Sequence, residues 1–256
     1  MIKLKTAFEN GKAFIPFITA GDPDLETTEK LIYALAEAGA DLIEIGIPFS
    51  DPIAEGIVIQ EADIRSLAAG TTTEKVFELV SKVRANVKIP LVFMTYLNVI
   101  FGYGTEQFMQ KAQACGIDGL IVPDMPFEEK EELAPYCKKY GLELVSLIAP
   151  TSHERIKMIA SEAEGFLYIV SSLGVTGVRS KITTDIASMV KLVREATNVP
   201  CAVGFGISTP EQAAKMASIS DGAIVGSAIV RIIAEHGKDS VPYVKEYVQK
   251  MKSALK

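Results

Sequence analysis

Eight short apolar runs, each followed by a segment of helix length, constrain the fold of this chain more than any other feature. Most runs are continuously apolar rather than alternating, which is typical of strands covered on both faces in a parallel sheet. They lie at 13–21, 41–48, 90–96, 119–124, 143–150, 166–172, 200–206 and 222–226. Eight alternating strand and helix units in 256 residues predict an α/β fold of the (β/α)8 barrel type.

Residues typical of helix ends support this division of the chain into strands and helices. A glycine closes the predicted helix in each of the segments 37–41, 114–118 and 139–143, and Thr105, Thr209 and Asp185 are predicted N-caps. A doubly wound open sheet is the competing fold, but its usual G-x-G-x-x-G does not follow the first strand. Because no linker or low-complexity segment interrupts the pattern, we expect one domain over 1–256, with a short extra N-terminal helix.

Charge and composition limit the partners. The net charge of −6 argues against nucleic acid and anionic membranes, and no apolar run reaches the ~20 residues of a membrane span. Residues 1–17 do not resemble a secretory signal. The three cysteines form no C-x-x-C unit, and the two histidines have no metal-ligand spacing. We therefore expect a cytoplasmic protein without a metal site.

Glu44 is an acid inside the second apolar run, "DLIEIGIP". Strand alternation places it on one side with Leu42 and Gly46, and places the intervening isoleucines on the other. If the isoleucines pack against helices, Glu44 points into the barrel, where partial desolvation raises its pKa toward the range useful for proton transfer. A structural acid bonded to an inner polar group is the other interpretation.

Other candidate groups also follow strand ends, where barrels of this kind place their chemistry. Carboxyl groups occur there at Asp22, Asp51, Glu55 and Asp124. Glycines in the loops after strands six to eight predict a phosphate site, helped by the N-terminus of a short extra helix. These loops contain Gly174, Gly177, Arg179, Lys181, Gly206, Gly226 and Ser227. Since no lysine falls within a strand, acid–base chemistry on a phosphorylated small molecule fits better than a Schiff base.

Several motifs in order resemble the tryptophan synthase α subunit family from about residue 8 onward. They are "FIPFITAGDPD", "IEIGIPFSDPIAEG", "GVTGVR", "GFGISTPEQ" and "GSAIV". The resemblance implies a TIM barrel lyase of tryptophan biosynthesis that cleaves indole-3-glycerol phosphate to indole and D-glyceraldehyde 3-phosphate. It also implies an α2β2 heterotetramer, with no cofactor in this chain and pyridoxal phosphate in the β subunit.

The resemblance assigns roles to individual residues. Glu44 corresponds to the general acid–base, and Glu55 to the second carboxylate, which bonds the indole N–H. Pocket positions that flank the indole correspond to Phe17, Met94 and Tyr96, and we add Tyr168 at the end of strand six. Phosphate-binding positions correspond to Gly177, Phe205, Gly206, Gly226 and Ser227, and the lid loop would contain Thr176 and Arg179.

Two residues differ from the family pattern in the loop after strand two. Glu55 stands where the family has aspartate, and Ile57 stands where it has proline. Three hypotheses therefore remain open: an active lyase, a weakened or inactive α-like protein that binds and activates a β subunit, and a related phosphate-binding barrel with another substrate.

Overall fold

The computed structural model describes residues 1–170, 185–204 and 206–255. Its strands are β1 (Ala13–Thr19), β2 (Ile43–Gly46), β3 (Leu91–Met94), β4 (Gly119–Ile121), β5 (Glu143–Ile148), β6 (Leu167–Val170), β7 (Cys201–Gly204) and β8 (Gly222–Val225). Each strand pairs in parallel with the next, and β1 also pairs with β8, so the sheet closes into a barrel. The predicted (β/α)8 fold is confirmed.

Helices surround the barrel in the order that the sequence predicts. In the described ranges they are α1 (Leu25–Glu37), α2 (Ile57–Ala68), α3 (Thr73–Arg84), α4 (Leu97–Tyr103), α5 (Thr105–Cys115), α6 (Ala134–Tyr140), α7 (His153–Ser161), α8 (Ile186–Ala196), α9 (Pro210–Ile219), α10 (Ser227–His236) and α11 (Val241–Ser253). Short 3-10 segments occupy Leu4–Phe8, Phe127–Glu132 and Gly237–Asp239. These described helices are too short or too polar to cross a lipid bilayer.

Helix ends follow the predicted caps with one exception. Asp185 accepts a hydrogen bond from the Ser188 N–H, and Thr209 forms a capping box with Gln212. Thr105 was expected to cap α5, but it is the first residue of that helix, and Gly104 occupies the cap position with φ of 95°. That prediction was wrong because α4 and α5 are joined through Gly104, which can adopt a positive φ without strain.

The barrel has an inner and an outer apolar layer. Ile43, Ile45 and Ile47 of the second strand region pack outward against the helices, and Leu42 packs inward. The 3-10 segment Leu4–Phe8, which is the observed form of the extra N-terminal helix, closes the opposite end of the barrel from the strand C-termini. There the Leu4 N–H donates to Glu143 Oε2 at 2.7 Å. Because Ile43 and Ile45 on either side of it face outward, Glu44 is directed into the barrel, toward the carboxyl ends of the strands.

Candidate active site

A cavity of about 50 Å³ lies at the carboxyl ends of the strands, and a groove of about 930 Å³ adjoins it. Ala54, Pro123 and Leu147 line both. The cavity alone is smaller than the ~300–1,000 Å³ of typical ligand pockets, so the adjoining groove supplies the space for a substrate. The remaining described residues around the cavity are Phe17, Glu44, Glu55, Ile59, Met94, Tyr168, Gly206, Ile207, Ile224, Gly226 and Ser227.

Glu44 is the most deeply buried acid of the cavity. Its side chain is 0% exposed, and neither carboxyl oxygen has a hydrogen-bond partner among the described residues. Parallel pairing sets it beside Phe17 of β1 and Val92 of β3. Burial raises the pKa of Glu44 well above its usual value, and no described residue supplies a charge or a donor that compensates the lost hydration. This shift favours the protonated carboxyl, the form that can donate a proton to a ligand.

Two strand glycines make room for the aromatic rings near Glu44. A Cβ atom on Gly46 would lie 2.6 Å from Phe17 Cζ, and one on Gly204 would lie 2.5 Å from the Tyr168 hydroxyl oxygen. Burial, and then the charge of Glu44, raise the pKa of Tyr168 well above its usual value. Tyr168 is therefore a neutral phenol close to the Glu44 carboxyl.

Glu55 reaches the cavity from the loop that joins β2 to α2. Its side chain is buried, and burial raises its pKa, while a hydrogen bond with the Asp63 carboxyl opposes that shift. The loop is held in place by the Tyr96 hydroxyl, which accepts a hydrogen bond from the Ala54 N–H at 3.0 Å. A second carboxyl group thus lines the same cavity as Glu44.

The start of α10 also borders the cavity, through Gly226 and Ser227. Ser227 is the first helical residue, and the cap residue Gly226 supplies no side-chain acceptor. The first N–H groups of a helix lack intrahelical partners and carry a partial positive charge, so this end favours an anion. Gly206, which follows β7, lines the cavity beside it.

Comparisons with known proteins decide the family. The family model described as "Tryptophan synthase alpha chain" matches residues 4–256. The chain belongs to the tryptophan synthase alpha chain family. A relative of that name from Lactiplantibacillus plantarum is 52% identical, and the match covers 100% of this chain and 97% of the relative.

Solved structures agree with this assignment. A tryptophan synthase subunit alpha from Legionella pneumophila has a TM-score of 0.90 at 37% identity, with 100% of this chain and 98% of that chain covered. A tryptophan synthase complex from Pyrococcus furiosus has a TM-score of 0.87 at 36% identity, with 95% and 99% covered. This member of the tryptophan synthase alpha chain family therefore shares both sequence and fold with its relatives over nearly its whole length.

Most of the site residues that the sequence predicts for this tryptophan synthase alpha chain family member lie at one cavity. Phe17, Met94 and Tyr168 line it together with both glutamates. Tyr96 does not belong to that lining; it packs against Phe49 with ring centroids 5.4 Å apart and holds the loop after β2. Four predicted residues, Thr176, Gly177, Arg179 and Phe205, lie outside the described residues, as do Gly174 and Lys181.

The other strand-end acids have structural partners. Asp22 is buried and pairs with the Arg65 guanidinium at 2.8 and 2.9 Å. Asp124 accepts a hydrogen bond from the Leu97 N–H at 3.0 Å, at the start of α4. Asp51 is exposed and bonds to its neighbour Ser50. The burial and partners of these groups separate them from Glu44 and Glu55.

Asp63 is a functional candidate that the sequence analysis missed. It lies in α2 and was not a candidate because it does not follow a strand end, but it is buried beside Glu55. The signal was present in the spacing, because Ile59, Ala62, Asp63 and Ser66 share one helical face. That face packs against the barrel, so Asp63 is carried inward with its apolar neighbours.

Proposed function

We propose that the chain cleaves indole-3-glycerol phosphate to indole and D-glyceraldehyde 3-phosphate, with Glu44 as the acid–base group. As a member of the tryptophan synthase alpha chain family, the chain is a carbon–carbon lyase of tryptophan biosynthesis. The observation that supports the role of Glu44 is its fully buried carboxyl, which lacks a partner among the described residues. It faces a cavity that also holds Glu55 and the start of α10.

The reaction moves one proton from the glycerol hydroxyl to indole C3 while the C–C bond between them breaks. A neutral Glu44 gives its proton to C3, and the resulting carboxylate takes the hydroxyl proton as the aldehyde forms. The side chain finishes in the protonation state in which it began, which suits one carboxyl of raised pKa acting as acid and then as base. No other proton-transfer group is required by this scheme.

Glu55 has a different role in this proposal. When C3 is protonated, positive charge develops on the indole ring, and a carboxylate that accepts from the ring N–H stabilises it. Phe17, Met94 and Tyr168 would flank the ring. Phosphate would bind at Gly206, Gly226 and Ser227 together with Gly177 and Phe205, and Thr176 and Arg179 would belong to the lid.

We also propose a β subunit as partner, in an α2β2 assembly that works in the cytoplasm. Large apolar side chains are exposed beside the site on the loop after β2 and on α2 and α4: Ile53 is 74% exposed, Ile57 71% and Phe101 44%. Such a surface is typical of a protein interface. The pyridoxal phosphate would belong to that partner, and no cofactor is proposed here. The three cysteines are free and buried, as in a reducing compartment.

Product analysis tests this function. Purified chain incubated with indole-3-glycerol phosphate should release indole and glyceraldehyde 3-phosphate in equal amounts, and faster when a β subunit is added. If neither product appears in either condition, while the β subunit is still activated, the chain is an α-like binding partner instead. If neither product nor β activation is seen, a barrel with another phosphorylated substrate is favoured.

A further inference from the structure

Asp63 and Glu55 form a buried pair of carboxyl groups at the edge of the cavity. Asp63 lies in the middle of α2, is 4% exposed, and is hydrogen-bonded to the Glu55 side chain. Glu55 Oε2 is buried and accepts no hydrogen bond from an N–H or a hydroxyl among the described residues. Two carboxyl groups can share a hydrogen bond only if one of them keeps its proton, so the contact itself requires a protonated member.

The surroundings indicate which member keeps the proton. Burial, followed by the charge of Glu55, raises the pKa of Asp63 to about 9, and the nearby charge of Asp22 acts in the same direction. The Phe49 backbone hydrogen bond opposes the shift. Asp22 is itself paired with Arg65. Tyr96, another titratable group beside this pair, stays a neutral phenol because burial and then the charge of Glu55 raise its pKa.

We propose that Asp63 is a positioning residue: it stays a neutral carboxylic acid at physiological pH and donates its proton in a hydrogen bond to Glu55. That bond fixes the direction of the glutamate, whose extra methylene group would otherwise add a rotatable bond. The charge of the pair then remains on Glu55, at the cavity, where the indole N–H is to be bound. This role rests on the proposed function of Glu55.

Two substitutions separate the donation of a hydrogen bond by Asp63 from the mere filling of space by its side chain. Asp63→Asn keeps a donor for Glu55 but cannot titrate, so turnover at pH 7 should be largely retained. Asp63→Ala removes the donor, so kcat should fall by on the order of tenfold or more, with KM changed less, because the loss affects the charge that develops in the transition state. Glu61→Gln, an exposed change on the same helix, is the matched control.

The pH profile gives a readout that a merely structural role would not change. Above pH ~9 the wild-type pair becomes two carboxylates without a shared proton, so its turnover should fall there, and Asp63→Asn should lack this fall. Equal turnover of the Asn and Ala variants, or superimposable profiles of wild type and Asp63→Asn, would overturn the proposal.

A stability measurement tests the shared proton without using turnover. The folded-state pKa of Asp63 lies above the unfolded value, so the folded chain binds a proton that the unfolded chain releases, and stability falls as pH rises between the two. The unfolding constant of wild type relative to Asp63→Asn should rise about tenfold per pH unit between pH ~6.5 and ~8.5. If the ratio of the two unfolding constants does not change with pH, Asp63 is not protonated in the folded chain and the proposal is refuted. If the wild-type protein releases no indole, only the lyase proposal is refuted.

Discussion

Asp22 and Glu44 are buried acids at the carboxyl ends of two neighbouring strands, and their partners give them different roles. The Arg65 guanidinium binds Asp22 through two hydrogen bonds, which ties α2 to the loop after β1. Glu44 has no such partner in the described part of the chain, and its pKa is raised well above the usual value. An acid bound by a guanidinium holds the fold together, while a buried acid without a partner among the described residues is available for proton transfer.

Glu55 stands where the resemblance predicts an aspartate, and the structure indicates what shortening its side chain would do. In Glu55→Asp the carboxyl moves back by about an ångström, away from both Asp63 and the indole position, so kcat should fall by on the order of 10- to 100-fold. Indole release under saturating substrate measures this effect. Asp51→Glu, an exposed change in the same loop, is the control and should leave turnover unaltered. An unchanged rate in Glu55→Asp would show that the longer side chain is not needed.

At the scale of elements, β2 and β7 contribute to the site through glycines. Gly204→Ala would place a Cβ atom 2.5 Å from the Tyr168 hydroxyl oxygen and 2.6 Å from its Cε1 atom, so the ring must shift. We expect a loss of about 1–3 kcal/mol in the free energy of unfolding, as for other overpacked cores, together with a lower kcat/KM.

Urea unfolding and steady-state kinetics would measure both effects of this substitution. Gly102→Ala is the control, because a Cβ atom there meets nothing within 4 Å. Since Gly102 lies within α4, alanine should be neutral or stabilising by up to about 1 kcal/mol. Wild-type stability and turnover in Gly204→Ala would contradict the steric account.

Element α2 also shows where local pattern reasoning fails. Asp63 was not a candidate because it follows no strand end, yet it is buried because Ile59 and Ala62 turn the same face toward the barrel. Thr105 failed as a predicted cap for a comparable reason, since the connection through Gly104 depends on how α4 and α5 pack. Propensity describes a residue and its near neighbours, whereas these two outcomes depend on contacts between elements.

At the scale of the whole molecule, the barrel could be predicted because the same pattern, an apolar run followed by a segment of helix length, recurs eight times in the sequence. The apolar runs are longer than the observed strands, since they include the loop residues that follow, but each run contains one strand. The direction of Glu44 also followed from strand alternation. The Glu55–Asp63 pair could not be predicted, because it forms between a loop and a helix face whose relative placement no local pattern specifies.

The two ends of the barrel have different roles: one end contributes to stability and the other holds the candidate site. Leu4 is fully buried beneath the strand starts, and its backbone N–H is bonded to Glu143. The candidate site occupies the other end, where both carboxyl oxygens of Glu44 and Oε2 of Glu55 lack a hydrogen-bond partner among the described residues. This arrangement is general for barrels of this type, and it implies that a change in the site can remove turnover without unfolding the chain.

Indole release by Glu44→Gln tests the central claim most directly. Because burial favours the neutral form of Glu44, a glutamine of nearly the same shape should retain the free energy of unfolding and the binding of a phosphorylated substrate analogue. Turnover should fall by on the order of 100- to 10,000-fold, the usual contribution of a general acid–base group, because the amide cannot exchange a proton with C3 and the hydroxyl. A folded Glu44→Gln protein that releases indole at a rate near wild type would contradict the assignment of Glu44.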